Sequence, residues 1–214
     1  MESLSEKNRG GAMRIPKHIG VIPDGNRRWA VSRGLSKEEG YQHGLQVGLD
    51  LLREAKRAGI EEVTYYGFTV DNCKRPKKQF DAFCRACVKA VQMIASEGTE
   101  LLVIGNEESK CFPEELKAYR KRTKIAGGGI RVNFLVNYGW EWDLQDFMNL
   151  KSKDISRMDM IIRWGGRRRL SGFLPVQSVY ADFFVINEMW PDFEKSQFEE
   201  ALTWYNEQDV TLGG

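Results

Sequence analysis

The stretch His18-Ile19-Gly20-Val21-Ile22-Pro23-Asp24-Gly25-Asn26-Arg27-Arg28-Trp29-Ala30 decides how the chain is read. It opens with a short apolar run of the kind that forms a buried strand. Pro23 stops the run, and a carboxylate, a glycine, an asparagine and two arginines follow before a helical pattern begins. In open α/β sheets ligands bind in the crevice beyond the C-terminal ends of strands. There Asp24 suits a divalent cation, while the Gly25 and Asn26 amides and the Arg28 guanidinium suit an anion. A cation beside an anion points to a metal-bridged phosphate. The same residues also fit an ordinary β-turn-α junction, because Asp and Asn cap helices and Gly accepts tight turns. Alone, the stretch leaves both readings open.

At 214 residues, 42% hydrophobic and 29% charged, the chain suits one soluble globular domain with a full core. Lys+Arg 32 against Asp+Glu 30 leaves a net charge of +2, so whole-molecule charge predicts no polyanion partner and any basic site is local. No run approaches the roughly 18 apolar residues of a membrane span, and no signal-peptide core precedes the first strand. A cytoplasmic location is therefore expected. Residues 1–12 are polar and aperiodic and read as a disordered leader, with the domain spanning residues 13–214. Cys84-x-x-Cys87 hints at zinc or redox chemistry, but Phe80, Phe83, Cys84, Cys87, Val88, Val91 and Ile94 recur at helical spacing. Both thiols thus fall on an apolar stripe, with no second pair or nearby His to complete a metal set.

Outward from the opening stretch, residues 41–58 read as a helix ended by Gly59, and residues 62–69 as a β-branched and aromatic strand. A long helix runs from Pro76 to about Glu97, followed by a strand over 101–105 and a charged helix over 112–123. Strands over 130–136, 158–163 and 183–186 follow, with short helices over 143–150 and 193–205. Strands alternating with helices predict an α/β fold, a mostly parallel six-stranded sheet covered on both faces. Two further polar clusters follow strands, Thr69-Val70-Asp71-Asn72-Cys73-Lys74-Arg75 and Arg163-Trp164-Gly165-Gly166-Arg167-Arg168-Arg169-Leu170-Ser171. Three such loops fall on one edge of a parallel sheet. Arg163, Arg169 and Ser171 offer two forked cations and a hydroxyl, a set suited to diphosphate oxygens. Nucleic acid is disfavoured, since only Trp164 offers an adjacent stacking ring and the global charge is near neutral.

These blocks, with Val136-Asn137-Tyr138-Gly139, Trp142-Asp143 and the run from Tyr180 to Phe193, resemble the cis-prenyltransferase family, relatives of undecaprenyl diphosphate synthase. The resemblance covers nearly everything from Met13 to the C-terminus. It implies a homodimer with a hydrophobic tunnel between the sheet and the helices at 41–58 and 76–97. It also implies transfer of an allylic prenyl diphosphate onto isopentenyl diphosphate with Mg²⁺. Carried over, Asp24 is the essential metal carboxylate, and Asp182 stands where a second acidic ligand is usual, reaching across the dimer. Gly25, Asn26, Arg28, Lys37 and Tyr41 fall on the allylic diphosphate side. Arg163, Arg169 and Ser171 hold the isopentenyl diphosphate, and Asn72 and Arg75 lie near the reacting carbons. A lipid product suits transient membrane contact.

The chain departs from the family pattern mainly on the allylic and metal side. Tyr41 occupies a usual histidine position, Lys37 a usual arginine, Arg167-Arg168 a usual Glu-His, and Cys73 a usual tryptophan. A guanidinium has no lone pair, so Arg168 is no metal ligand. The C-terminal Thr211-Leu212-Gly213 lacks a usual arginine. The chain is short, and the stripe of its long helix is bulky at Phe80, Phe83 and Met93. Each lost helical residue removes about 1.5 Å of tunnel, so a short-chain product is expected. The alternative is a non-catalytic prenyl-diphosphate-binding subunit of a heteromeric enzyme. Retention of Asp24, Asn26, Arg163, Arg169 and Ser171 speaks against it.

Overall fold

The computed structural model describes residues 13–209, so the expected leader at 1–12 and the C-terminal Thr211-Leu212-Gly213 lie outside the described residues. In chain order the elements are β1 (His18–Ile22), α1 (Asn26–Ser32), α2 (Glu39–Ala58), β2 (Glu62–Thr69), α3 (Lys77–Ala95), β3 (Thr99–Ile104), β4 (Thr123–Lys124), β5 (Ile130–Tyr138), α4 (Trp140–Asp143), β6 (Met160–Arg163), β7 (Asp182–Val185) and α5 (Lys195–Glu207). The sheet has seven strands in the order β4-β3-β5-β2-β1-β6-β7, parallel except for β4. The strand beyond the expected six is β4, two residues paired antiparallel to β3 at its outer edge. So short an edge piece carries no periodicity from which to be read.

Two of the expected helices are corrected. The charged segment after β3 is a 3₁₀ turn over Glu114–Tyr119 opened by Pro113, and the helix expected over 143–150 is four residues, Trp140–Asp143. In each, few apolar side chains repay burial, and short helices need tertiary packing to persist.

The strands sort their side chains by the two-residue pleat. Val63 and Tyr65, Leu101 and Val103, and Val132, Phe134 and Val136 face a core shared with α2, α3 and α5. Tyr66, Leu102, Ile104 and Leu135 face the opposite side, against Ile155, Met158, Phe173 and Leu174. Helices thus gather on one face, and irregular segments within 144–181 cover the other.

One irregularity matters for the site. Pairing of β2 with β5 shifts register at Gly67, between Tyr66 and Phe68. A Cβ at Gly67 would sit 2.6 Å from the Leu135 carbonyl oxygen, so only glycine allows that approach. The extra residue turns Phe68 to the helical side, where it meets Phe80 and Phe83 at ring separations of 6.2 and 5.5 Å.

At the N-terminal end of the strands lies a buried polar cluster. His18 Nε2 is 2.8 Å from Thr64 Oγ1, and Asn133 Nδ2 donates to Glu62 (2.7 Å) and Thr64 (2.8 Å). Burial holds the His18 imidazole below its ordinary range despite the nearby Glu62 carboxylate. Burial pushes Glu62 up, but His18 and hydrogen bonds from Ser156 and Asn133 outweigh it and hold the carboxyl below its usual range. No helix among the described residues is long and apolar enough to cross a membrane.

Candidate active site

The opposite edge, where β1, β2, β5 and β6 all end, carries a cavity of about 660 Å³. It gathers Asp24, Gly25, Asn26, Arg28, Tyr41, Asn72, Arg75, Arg163, Arg169 and Ser171. Three segments distant in sequence that follow β1, β2 and β6 supply most of these groups because parallel strands end at one edge, and the first turns of α2 add Tyr41.

The turn after β1 is not an ordinary cap. Gly25 is the N-cap of α1 and no side chain caps that helix. Gly25 has φ +106°, and a Cβ there would lie 2.8 Å from the Met189 side chain. The Trp190 amide donates to the Asp24 carbonyl at 2.9 Å, and Trp29 Nε1 donates to Asp192 at 2.7 Å. The Met189–Asp192 segment therefore braces the turn that presents Asp24.

The Asp24 carboxylate is engaged on both oxygens. Oδ1 accepts from the Gly25 amide at 2.6 Å, and Oδ2 accepts from Arg163 Nη2 at 2.9 Å with Arg28 Nη2 at 3.5 Å. Arg163 ends β6 and is only 4% exposed. Its Nη1 donates to Ser171 Oγ at 3.1 Å and to the Arg169 carbonyl, while its Nε has no partner. Ser171 itself has φ +55°. The Tyr66 hydroxyl donates to its carbonyl at 2.8 Å and holds it in that strained conformation.

On the helical side, Arg75 Nη1 donates to the Tyr41 hydroxyl at 3.0 Å, and its guanidinium lies 4.8 Å from the Phe83 ring centre. Tyr41 and Phe83 are themselves 4.7 Å apart. Burial raises the Tyr41 phenol above its usual range, the Arg75 charge opposing, so the hydroxyl stays protonated. Asn72 Oδ1 accepts from the Thr69 amide at 3.2 Å, closing a capping box over residues 70–74. Asn26 Nδ2 is committed to the Pro23 carbonyl at 2.9 Å. Tyr41 and Phe83 also line an apolar pocket of about 80 Å³ between α2, α3 and the sheet, with Leu45, Ala86 and Trp190.

Two expected residues do not join the cavity. Lys37 is exposed in the turn before α2 and lies outside the lining. Asp182 begins β7 and pairs across β6 in register with Ile19, so in one chain it sits at the opposite end of the sheet from Asp24. Burial raises its carboxyl above the usual range, Arg14 opposing. The Cys84-x-x-Cys87 pair packs in or against the core, with the Cys87 thiol pushed up to about 12 by burial. No cluster of three or more metal-type ligands occurs among the described residues. Unforeseen lining groups are Arg27, Tyr66, Trp140, Glu141 and Arg167. The Arg27 and Arg167 signals were present as neighbours in arginine runs, whereas Trp140 needed the fold, since its indole lies against Gly172.

A carboxylate paired with the buried Arg163 and the exposed Arg28 lies at the tip of a parallel sheet beside an apolar pocket, an arrangement suited to an anion joined to an apolar group. The model of the undecaprenyl diphosphate synthase family of prenyltransferases matches residues 22–150 and 145–213, and the chain belongs to that family. An isoprenyl transferase of Clostridium tetani is 31% identical over 94% of this chain and 90% of its own. That of Thermotoga maritima is 29% identical, covering 94% and 98%. A ditrans,polycis-undecaprenyl-diphosphate synthase of Pectobacterium atrosepticum, (2E,6E)-farnesyl-diphosphate specific, is 30% identical over 100% and 96%. The fold also matches the crystal structure of lavandulyl diphosphate synthase from Lavandula x intermedia in complex with dimethylallyl diphosphate. That match has a TM-score of 0.78 at 23% identity, covering 94% of this chain and 99% of that one.

Proposed function

We propose that the chain joins two short prenyl diphosphates, breaking the allylic carbon–oxygen bond of one and adding its carbon to the alkene of isopentenyl diphosphate. The observation that carries this reading is the single cavity in which Asp24, Arg28, Arg163 and Ser171 meet beside an apolar pocket. Arg28, with the Gly25 and Asn26 backbone, holds the allylic diphosphate, while Arg163, Arg169 and Ser171 hold the second. When the allylic bond breaks, its electron pair goes to the departing diphosphate, whose growing charge fixed guanidinium groups stabilise. Tyr41 and Phe83 offer the allylic carbon an apolar wall, which keeps water away from the electron-poor centre. A proton then passes from the new chain to an oxygen of the departing diphosphate, and the double bond is restored.

The donor set fits Mg²⁺, which is commonly held by one or two carboxylates together with substrate phosphates. Asp24 would hold it, and when bound it would supply charge neutralisation at the diphosphate. A role for Asp182 requires a second copy of the chain.

The apolar pocket sets product length. A cavity of roughly 150 Å³ accommodates benzene, and the pocket here is about 80 Å³. It has no room for a long chain, so the shortest allylic partner, dimethylallyl diphosphate, is favoured and a ten-carbon diphosphate is the product. The test is incubation with labelled isopentenyl diphosphate and allylic diphosphates of five to fifteen carbons, followed by product sizing. Ten-carbon product is expected, with Asp24→Ala lowering kcat/KM by about 10²–10³-fold, as for loss of a single electrostatic group. Long polyprenyl products would refute the length assignment. Diphosphate binding without turnover would favour the non-catalytic subunit, and the intact Asp24–Arg163–Ser171 constellation argues against it.

A further inference from the structure

Arg163 touches both halves of the cavity. Its Nη2 is bound to Asp24 at 2.9 Å, and its Nη1 to Ser171 at 3.1 Å. With Arg28 also 3.5 Å from the same carboxylate oxygen, Asp24 faces two guanidinium groups and a backbone donor. A cation approaching Asp24 meets two like charges and a carboxylate each of whose oxygens already accepts a hydrogen bond. Meanwhile Arg163, 4% exposed, keeps Nε buried and unpartnered. A buried donor without an acceptor is costly, so the observed arrangement leaves Arg163 incompletely satisfied.

We infer that Arg163 couples the two halves: it neutralises Asp24 while the Arg169–Ser171 side is empty, and it turns to an anion bound there, releasing Asp24 for a divalent cation. The inference rests on the diphosphate reading of the Arg163–Ser171 pocket. An anion on that side supplies acceptors for Nη1 and Nε, and the Asp24 oxygen loses its strongest competing donor. Linkage makes the effect reciprocal: a cation on Asp24 raises the affinity of Arg163 for the anion by the same factor. The site then assembles its full charge only when the second substrate is present, so the allylic diphosphate is not ionised towards water in its absence.

The test uses Mn²⁺ alone as probe, with the free ion followed by electron paramagnetic resonance on the full chain. Arg163→Met is expected to bind Mn²⁺ about tenfold more tightly than the parent, within the usual range of coupling between sites. Arg163→Lys, which keeps the charge, is expected to stay within about twofold. The gain disappears in the Arg163→Met, Asp24→Asn double variant. Unchanged affinity in folded Arg163→Met, or a gain that survives loss of Asp24, overturns the inference. If circular dichroism shows Arg163→Met unfolded, the parent is titrated with and without isopentenyl monophosphate. This anion chelates metal weakly. Tightening supports the coupling and its absence overturns it. None of these readings requires turnover. A chain that transfers no prenyl group but shows the Arg163-dependent Mn²⁺ shift would sink the transfer reading alone.

Discussion

Phe83 stands between the polar cavity and the apolar pocket and lines both. Its ring is held by Tyr41 at 4.7 Å, by Phe68 at 5.5 Å and by the Arg75 guanidinium at 4.8 Å. Such a cation–aromatic contact is worth about 0.5–2 kcal/mol, so the ring stays put. Phe83→Ala opens the two spaces into one. The product is expected to lengthen by at least one five-carbon unit while the rate falls, because Arg75 loses its support; chromatographic sizing of products checks it. A product of unchanged length would show that the barrier lies elsewhere. The bulk of Phe83 was visible in the sequence as part of a helical stripe. Its partner Phe68 was not, because simple alternation along β2 places Phe68 on the other face and only the Gly67 bulge reverses it.

Helix α2 reaches the site through two glycines. A Cβ at Gly40 would collide with the Asn26 carbonyl oxygen, and one at Gly44 with the Asn26 side-chain oxygen and, at 2.7 Å, with the Trp190 ring. At Gly48 the nearest heavy atom, on Trp190, is 3.9 Å away. Alanine in a helix interior normally gains about 0.5–1 kcal/mol over glycine, but forced overpacking costs about 1–3 kcal/mol. Gly44→Ala is therefore expected to lower the melting temperature and to reduce kcat/KM by displacing Asn26. Gly48→Ala should leave the melting temperature equal or higher. Calorimetry and steady-state kinetics on both variants check the contrast, and equal behaviour would count against it. The three polar loops of the site were legible in the sequence because each followed an apolar run. The bracing of Asp24 by Met189 and Trp190 was not, since backbone contact between segments more than 160 positions apart leaves no local pattern. Asp24–Asn26 looked equally suited to capping. The structure separates the readings through Gly25, whose left-handed φ makes it the cap and leaves Asp24 to the cavity.

Across the whole molecule, the two faces of the sheet are unequal. Phe147, Met148, Val179 and Tyr180, in the irregular covering of the face opposite the helices, are 72%, 85%, 60% and 60% exposed. The adjoining outermost strand β7 is half-buried along its length. Large exposed apolar side chains of this kind mark interaction surfaces, and a second copy of the chain is the proposed occupant. Sedimentation equilibrium is expected to give a dimer that Val179→Asp weakens; a monomer at micromolar concentration would exclude it. Fold class and sheet direction could be read beforehand because strand patterns alternate with helical ones along the chain, as they do in parallel α/β sheets. The second face could not, because its cover is mostly irregular.

The buried cluster around His18, Glu62 and Asn133 and the cavity around Asp24 and Arg163 occupy opposite ends of the same strands. Because a slip of one residue would bury charge and expose apolar side chains, the first end anchors strand register without any part in the chemistry. Substitutions at the second end, at Tyr41 or at Arg167-Arg168, therefore leave the anchor untouched. Such an architecture separates the groups that fix the scaffold from those that line the cavity.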